Sequence, residues 1–130
     1  MNPVLSALPA LVDALCAPGA STPALAASLG DAVDPSGWGE QLTVRTPQLA
    51  GVRQAIVVCD PPLGRPALVW LYLSAGVPRR EVIAALGPGL RRLAEDGQRE
   101  TLHEVLHDRC TVVARGDEES VDELVLRRDD

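Results

Sequence analysis

The chain has 130 residues, of which 12 are basic and 18 acidic, and its net charge is −6. An acidic surface repels phosphate backbones, which argues against nucleic acid as a partner. The longest apolar run, Ala67–Leu73, is far shorter than the roughly 20 residues of a membrane-spanning helix, so we expect no membrane partner. A hydrophobic content of 46% at this length predicts a single folded domain over residues 1–130.

The three cysteines predict a reducing compartment. Cys16, Cys59 and Cys110 are odd in number and far apart, which is not the pattern of a disulfide framework. The apolar start of the chain also lacks the basic residues of a signal peptide, because no arginine or lysine precedes Arg45, and Asp13 interrupts the run. We therefore expect buried free thiols in a cytoplasmic protein.

Two helices are expected in the first 30 residues. Asn2 and Pro3 can open the first, whose apolar side ends before Pro18-Gly19. Pro9 predicts either a kink or a shorter helix capped by Ser6. The second helix begins at residue 21 or 22, with Pro23 in its first turn, and Gly30 ends it.

The middle of the chain predicts strands and then a helix. Residues 34–39 form a polar turn that carries Trp38, and residues 42–46 and 55–59 are strands joined to the next by a Pro- and Gly-rich connection at 60–66. Ala67–Leu73 is a strand that is apolar on both faces, so we expect both to be covered, the second by a helix, a sheet or a partner chain. A helix follows at 78–86, and Gly87 supplies the left-handed residue that ends it.

Beyond Gly87 the pattern leaves alternatives open. Residues 101–107 fit either a strand or a short helix, and residues 111–114 fit a strand. Residues 123–127 fit a final strand, although 117–128 can also be drawn as a helix. Residues 90–95 favour neither type.

These elements predict an α+β fold, an antiparallel sheet of about five or six strands with two or three helices on one face. They also suggest two α-βββ units, at 22–74 and 78–128. Leu29 and Gly30 recur 57 residues later as Leu86 and Gly87, whereas Val57 and Val69 recur 55 residues later as Val112 and Leu124.

Two resemblances accompany this pattern. The helix P-R-R-E-V-I-A-A-L-G-P at 78–88, followed by strands, resembles the repeat unit of the β-lactamase-inhibitor-protein-like fold, which small outer-membrane assembly lipoproteins share. W-L-Y at 70–72 is similar to aromatic strand positions of that family, and the resemblance implies helices on one sheet face and binding to other proteins. The order of elements is also similar to the small dimeric chaperones of type III secretion, which usually finish with a helix that residues 117–128 would supply.

His103, His107 and Cys110 form an H-x3-H-x2-C pattern that could serve metal binding or Cys–His nucleophilic catalysis. A closed zinc site needs four ligands, however, and no fourth lies within sequence range. We therefore predict no metal, no cofactor and no catalytic residue, and keep a metal-binding or Cys/His enzyme centred on these residues as the alternative.

The favoured function is a non-enzymatic protein-interaction module, such as an adaptor, chaperone or inhibitor. Aromatic residues are enriched in interface hot spots, which makes Trp70 and Tyr72, with Leu68 and Trp38, the candidate interface residues. The expected partner is another protein or a second copy of the chain. A small-molecule carrier is a further alternative, and it requires a closed apolar pocket.

Overall fold

The computed structural model describes residues 2–36, 40–60, 64–105 and 109–129. These residues form three helices and eight strands. They are α1 (Pro3–Cys16), α2 (Thr22–Leu29), β1 (Gly30–Ser36), β2 (Gln41–Pro47), β3 (Val52–Cys59), β4 (Pro66–Pro78), α3 (Arg79–Leu86), β5 (Leu90–Leu93), β6 (Arg99–Val105), β7 (Cys110–Gly116) and β8 (Ser120–Arg128).

The strands form one antiparallel sheet in the order β1-β2-β3-β4-β8-β7-β6-β5. The α+β class with an antiparallel sheet is therefore confirmed, but the expected count of five or six strands was wrong. The two additional strands are the edges of the sheet. β1 follows α2 without a linker and is acidic, whereas β5 has only the four residues L-R-R-L, so neither shows the apolar alternation that identifies a strand.

Each half of the sheet consists of a helix followed by a four-stranded meander, α2 with β1–β4 and α3 with β5–β8. The expected α-βββ unit was thus one strand short. Val57 lies opposite Val69, and Val112 lies opposite Leu126. With Val57 and Val112 as equivalent positions, Leu126 rather than Leu124 corresponds to Val69. The offset between β4 and β8 is then 57 residues, the same as between the two helix ends.

Local signals fix the ends of the helices. The Asn2 Oδ1 atom accepts a hydrogen bond from the Val4 N–H at 2.9 Å, and the helix continues through Pro9, so Ser6 is not its cap. The Cys16 carbonyl at the other end accepts hydrogen bonds from Arg109 at 3.0 Å and Arg65 at 3.3 Å, which places two cations at the negative end of the helix dipole. Gly87 ends α3 with φ +89°, as predicted.

All three helices cover one face of the sheet. Val69, Leu71 and Leu73 of β4 are buried beneath them in the hydrophobic core. Leu68, Trp70 and Tyr72 point to the other face and are only partly buried. The helices thus cover one face of this strand, and cover of the other face by a partner chain stays a prediction. No described helix is long and apolar enough to cross a membrane.

The structure resolves both ambiguous segments as strands. Residues 99–105 form β6, and residues 120–128 form β8, so the final helix required by the secretion-chaperone resemblance is not formed. The predicted turn at 34–39 is wrong over its first half, because β1 continues to Ser36 by pairing with β2. Trp38 lies outside the described residues, as does His107.

Candidate functional site on the open face of the sheet

The sheet face opposite the helices, which we call the open face, carries a row of apolar residues that crosses six strands. The strand register places Trp70 between Ile56 and Val125, and Val125 lies opposite Val113. Leu102 and Leu90 extend the same line to the β5 edge. Val113 and Val125 are buried although no helix covers them, because the longer side chains beside them shield them. We call these six residues the apolar row.

A second row, which we call the charged row, consists of Glu123, Arg115, Glu100 and Arg92 and runs beside the apolar row. Tyr72 lies opposite Glu123, Glu123 opposite Arg115, and Arg115 opposite Glu100. Arg92 continues it onto β5, where its Nε lies 2.6 Å from the Glu100 carboxylate. Directly opposed residues of opposite charge stabilise a sheet. The open face therefore presents an apolar strip bordered by paired charges.

Trp70 and Tyr72 form the aromatic stack at the centre of this face. Their ring centres lie 5.9 Å apart with an interplanar angle of 13°. The guanidinium carbon of Arg53 lies 5.3 Å from the Tyr72 ring centre, and that of Arg115 lies 5.3 Å from the Trp70 ring centre. The Trp70 Nε1–H also donates a hydrogen bond to Glu123 Oε1 at 3.1 Å. Both rings are thus held in place by cation–π contacts and a polar anchor.

Arg115 connects the aromatic stack to the charged row. Its guanidinium lies 2.8 Å from the Glu100 carboxylate and 3.7 Å from that of Glu123, and it also donates to Asp96. Burial opposes its positive charge, but the hydrogen bond to Asp96 and the nearby carboxylates outweigh burial and raise the pKa of Arg115. The cation under the Trp70 ring is therefore permanent, and its position is fixed from three sides.

Sequence reasoning identified three of the residues on this face and missed their supports. Leu68, Trp70 and Tyr72 lie together as predicted, with Leu68 opposite Val58 and Arg127. Arg115, Glu123 and Arg53 were not predicted. The available signal was an arginine at the end of the apolar run C-T-V-V-A-R, because a charge in a central strand requires a partner.

Of the alternative metal or catalytic group, His103 and Cys110 lie within the described residues and His107 does not. His103 is buried on the helix side of the sheet, and its Nε2 lies 3.1 Å from Thr101 Oγ1. Burial lowers the pKa of His103, a hydrogen bond with the Leu86 backbone opposes that effect, and the charge of Arg79 adds to it. The imidazole is therefore a neutral, packed core residue.

Cys110 is also buried, beside Cys16. Burial, the neighbouring Cys16 thiol and the charge of Asp129 raise the pKa of Cys110 to about 12. A reactive cysteine needs a stabilised thiolate, and this environment favours the thiol. Across the residues whose structure is described, no three His, Cys, Asp or Glu side chains are grouped so that they could hold a metal ion.

Two cavities lie outside the apolar row and the aromatic stack, and the first reaches Arg92 and Glu100 at the end of the charged row. One, of about 510 Å³, is at the β5 edge and is lined by arginines, including Arg79, Arg91 and Arg99. The other, of about 680 Å³, lies between α1 and α3. Its lining is mainly apolar and includes Leu5, Leu8, Val12, Leu86, Val105 and Val112.

No protein-family model and no curated protein matches the sequence. The fold is similar to the crystal structure of a DUF4309 family protein, YjgB, from Bacillus subtilis subsp. subtilis str. 168. The TM-score is 0.63 over 96% of this chain and 97% of that chain, with 11% sequence identity. At this identity the similarity shows a shared fold and carries no information on function.

Proposed function

We propose that the protein is a non-enzymatic interaction module that binds another protein, or a second copy of itself, through the open face of the sheet. The observation that carries the proposal is the aromatic stack. Trp70 and Tyr72 are partly exposed, yet both rings are fixed by Arg53, Arg115 and Glu123.

Fixed rings favour binding for an entropic reason. A side chain that becomes ordered only on binding costs about 0.5–1.5 kcal/mol, and rings already held by neighbours avoid most of that cost. Tryptophan, tyrosine and arginine are the residues that most often dominate interface energetics. The stack therefore has the composition and the rigidity of a binding hot spot.

The surroundings of the stack support the same function. The apolar row offers apolar surface at its members that are not buried, Ile56, Trp70, Leu102 and Leu90. The charged row beside it is internally paired by Arg115–Glu100 and Arg92–Glu100 contacts. An interface with an apolar centre and a polar rim has this arrangement. We also propose a cytoplasmic location, which the three free, buried cysteines support because a reducing compartment preserves thiols.

The experiment compares the wild type with a Trp70→Ala/Tyr72→Ala variant. Light scattering after gel filtration measures self-association, and affinity capture with mass spectrometry measures other partners. Leu93→Ala is the matched control, because Leu93 is 62% exposed and belongs to neither the apolar row nor the stack.

Support comes from a dimer, or a captured protein, that the wild type and Leu93→Ala share and the double variant loses. Equal unfolding midpoints of the two variants show that the loss is not caused by unfolding. If all three proteins are monomers and capture the same set of proteins, the open face is not the binding surface.

The cavity between α1 and α3 favours a second candidate, a carrier of an apolar small molecule. Its volume of about 680 Å³ lies in the range of ligand pockets and its lining is mainly apolar, although the cavity is open to solvent on one side rather than closed. A thermal-shift screen with apolar ligands tests this function. A carrier gives a saturable rise in melting temperature that Ala85→Trp, which fills the cavity, abolishes, and an absence of any such ligand contradicts it.

A further inference from the structure

The cavity at the β5 edge concentrates positive charge in an acidic protein. Four arginines and two glutamates line it, with Leu93 and Thr101 completing the wall. Arg92 is paired with Glu100 and Arg99 with Glu118. The other two arginines that line the cavity, Arg79 and Arg91, are not in these pairs. The cavity therefore has an excess of positive charge, although the chain as a whole has a net charge of −6.

Arg79 is a rigid part of the wall. Its residue is 8% exposed, and its guanidinium donates to the Asp117 carbonyl at 2.7 Å, to the Arg99 carbonyl at 3.1 Å and to Thr101 Oγ1 at 3.4 Å. Its hydrogen bonds go to neutral oxygens rather than to a carboxylate. The buried cation is thus held in position while its charge is only partly balanced, by the nearby Asp117 carboxylate.

Arg91 adds a second cation to the same wall. It is exposed on β5. Burial is the main cause that lowers the pKa of Arg79, the Asp117 carboxylate opposes it, and the charge of Arg91 adds a smaller lowering, which places Arg91 near Arg79. Over the described ranges, neither arginine has a carboxylate within ion-pairing distance. Two neighbouring guanidinium groups whose charge is only partly balanced, by the Asp117 carboxylate, are an unfavourable arrangement that a bound anion would relieve.

We infer that Arg79 and Arg91 form a binding site for an oxyanion, either a phosphate or a carboxylate group. The exposed Arg91 guanidinium can bind either group through paired N–H···O contacts, whereas Arg79, most of whose N–H groups are already donated, contributes its charge and its remaining N–H. A cavity of about 510 Å³ has room for more than the anionic group, so the ligand is a phosphate- or carboxylate-bearing molecule rather than a bare ion. The exposed Leu93 at the rim offers a contact for an apolar part of that molecule.

The anion-binding groups are separate from the aromatic stack of the proposed protein interface, although the cavity also borders Arg92 and Glu100 of the charged row. The side chains that would bind the anion are on α3 and β5, whereas the aromatic stack is on β4. The two proposals therefore fail independently, since anion binding does not require Trp70 or Tyr72.

The test is a titration of the full chain with inorganic phosphate and with citrate, followed by NMR of the arginine Nε–H signals at constant ionic strength. We expect saturable shifts of the Arg79 and Arg91 signals, with a dissociation constant on the order of 1 mM. Arg91→Gln should weaken binding about tenfold. Arg45→Gln, a change of an exposed arginine on β2, should leave it unchanged.

The two probes separate the sources of the anionic group. Tighter binding of phosphate indicates a phosphate-bearing ligand, and tighter binding of citrate indicates a carboxylate-bearing one; either result supports the site. Shifts that rise linearly without saturation, or that are equal in the wild type and Arg91→Gln, reflect ionic screening alone and overturn the inference.

Discussion

The guanidinium carbon of Arg115 on β7 lies 5.3 Å from the centre of the Trp70 ring on β4, although β8 separates the two strands. The same guanidinium contacts Glu100 on β6 at 2.8 Å. One side chain thereby links the aromatic stack in the first half of the sheet to the charged row in the second. The properties of the open face depend on this arginine.

Replacing Arg115 with glutamine should lower the free energy of unfolding by about 3 kcal/mol, because it removes the buried partner of the Glu100 carboxylate and leaves only the more exposed Arg92. The side chains of Arg115 and Glu100 are only 10% and 8% exposed. Arg45→Gln is the control, since its pair with Asp34 is 62% and 50% exposed and should contribute less than about 1 kcal/mol. Urea unfolding measures the free energy of unfolding of both variants. Equal decreases for Arg115→Gln and Arg45→Gln would contradict a stabilising buried network around Arg115.

Stability should fall as the pH drops below about 6.5, the pKa of an unperturbed histidine. Burial lowers the pKa of His103 in the folded protein, so the unfolded chain binds a proton at a higher pH than the folded one does. The stabilisation is complete above the unfolded pKa and is lost as the pH falls towards the folded one.

Urea unfolding at pH 7.5, 6.5 and 5.5 measures this dependence, and His103→Gln should flatten it. The lowered pKa values of Asp96 and Asp117 act in a more acidic range, near the carboxylate pKa, and do not confuse the comparison. An identical slope in the wild type and His103→Gln would show that His103 does not cause it.

The three thiols should react slowly with a disulfide reagent at neutral pH. Cys16, Cys59 and Cys110 are buried, and the pKa of Cys110 is raised to about 12, so little thiolate is available to attack. Absorbance during the reaction should show no fast phase in the native protein and three thiols after unfolding. A fast native phase that disappears in Cys110→Ser would mean that this cysteine is accessible and activated.

Alanine substitutions at Gly89 and Gly97 test how closely the backbone packs against His103, because only Gly89 lies beside that side chain. Both have positive φ, +66° and +85°, so alanine at either position costs about 1 kcal/mol through backbone strain. A Cβ on Gly89 would also lie 2.7 Å from His103 Cε1, whereas one on Gly97 would meet nothing within 4 Å. We expect Gly89→Ala to cost about 3 kcal/mol in total, because overpacking adds to the strain. Equal melting temperatures of the two variants would refute this packing.

The helices were predicted well because their signals are local. Asn2 and Ser21 cap their helices, and Gly87 ends the third, each through contacts within a few residues. The long strand β4 was equally clear, because an apolar run between glycines and prolines has few other interpretations. These signals need no knowledge of the rest of the chain.

The edge strands and the supports of the aromatic stack depend on distant residues. β5 is held by pairing Leu90 with Leu102 and Leu93 with Arg99, which its own sequence L-R-R-L does not indicate. The position of Arg115 beneath Trp70 follows from β8 lying between β7 and β4. A sequence alone shows that a strand exists but not which strand lies beside it, so the site was predicted only as far as the residues of β4.

The junction of β4 with β8 has a consequence for synthesis of the protein. β4 is the longest strand, and its second neighbour is the last strand of the sheet, so the nascent polypeptide emerges with an apolar, unpaired edge that stays available until residues 120–128 follow. Such edges are templates for intermolecular pairing, and long-range strand contacts form slowly. A chain whose synthesis stops before β8 would therefore expose the unpaired edge of β4, and this edge could pair with other copies and cause aggregation.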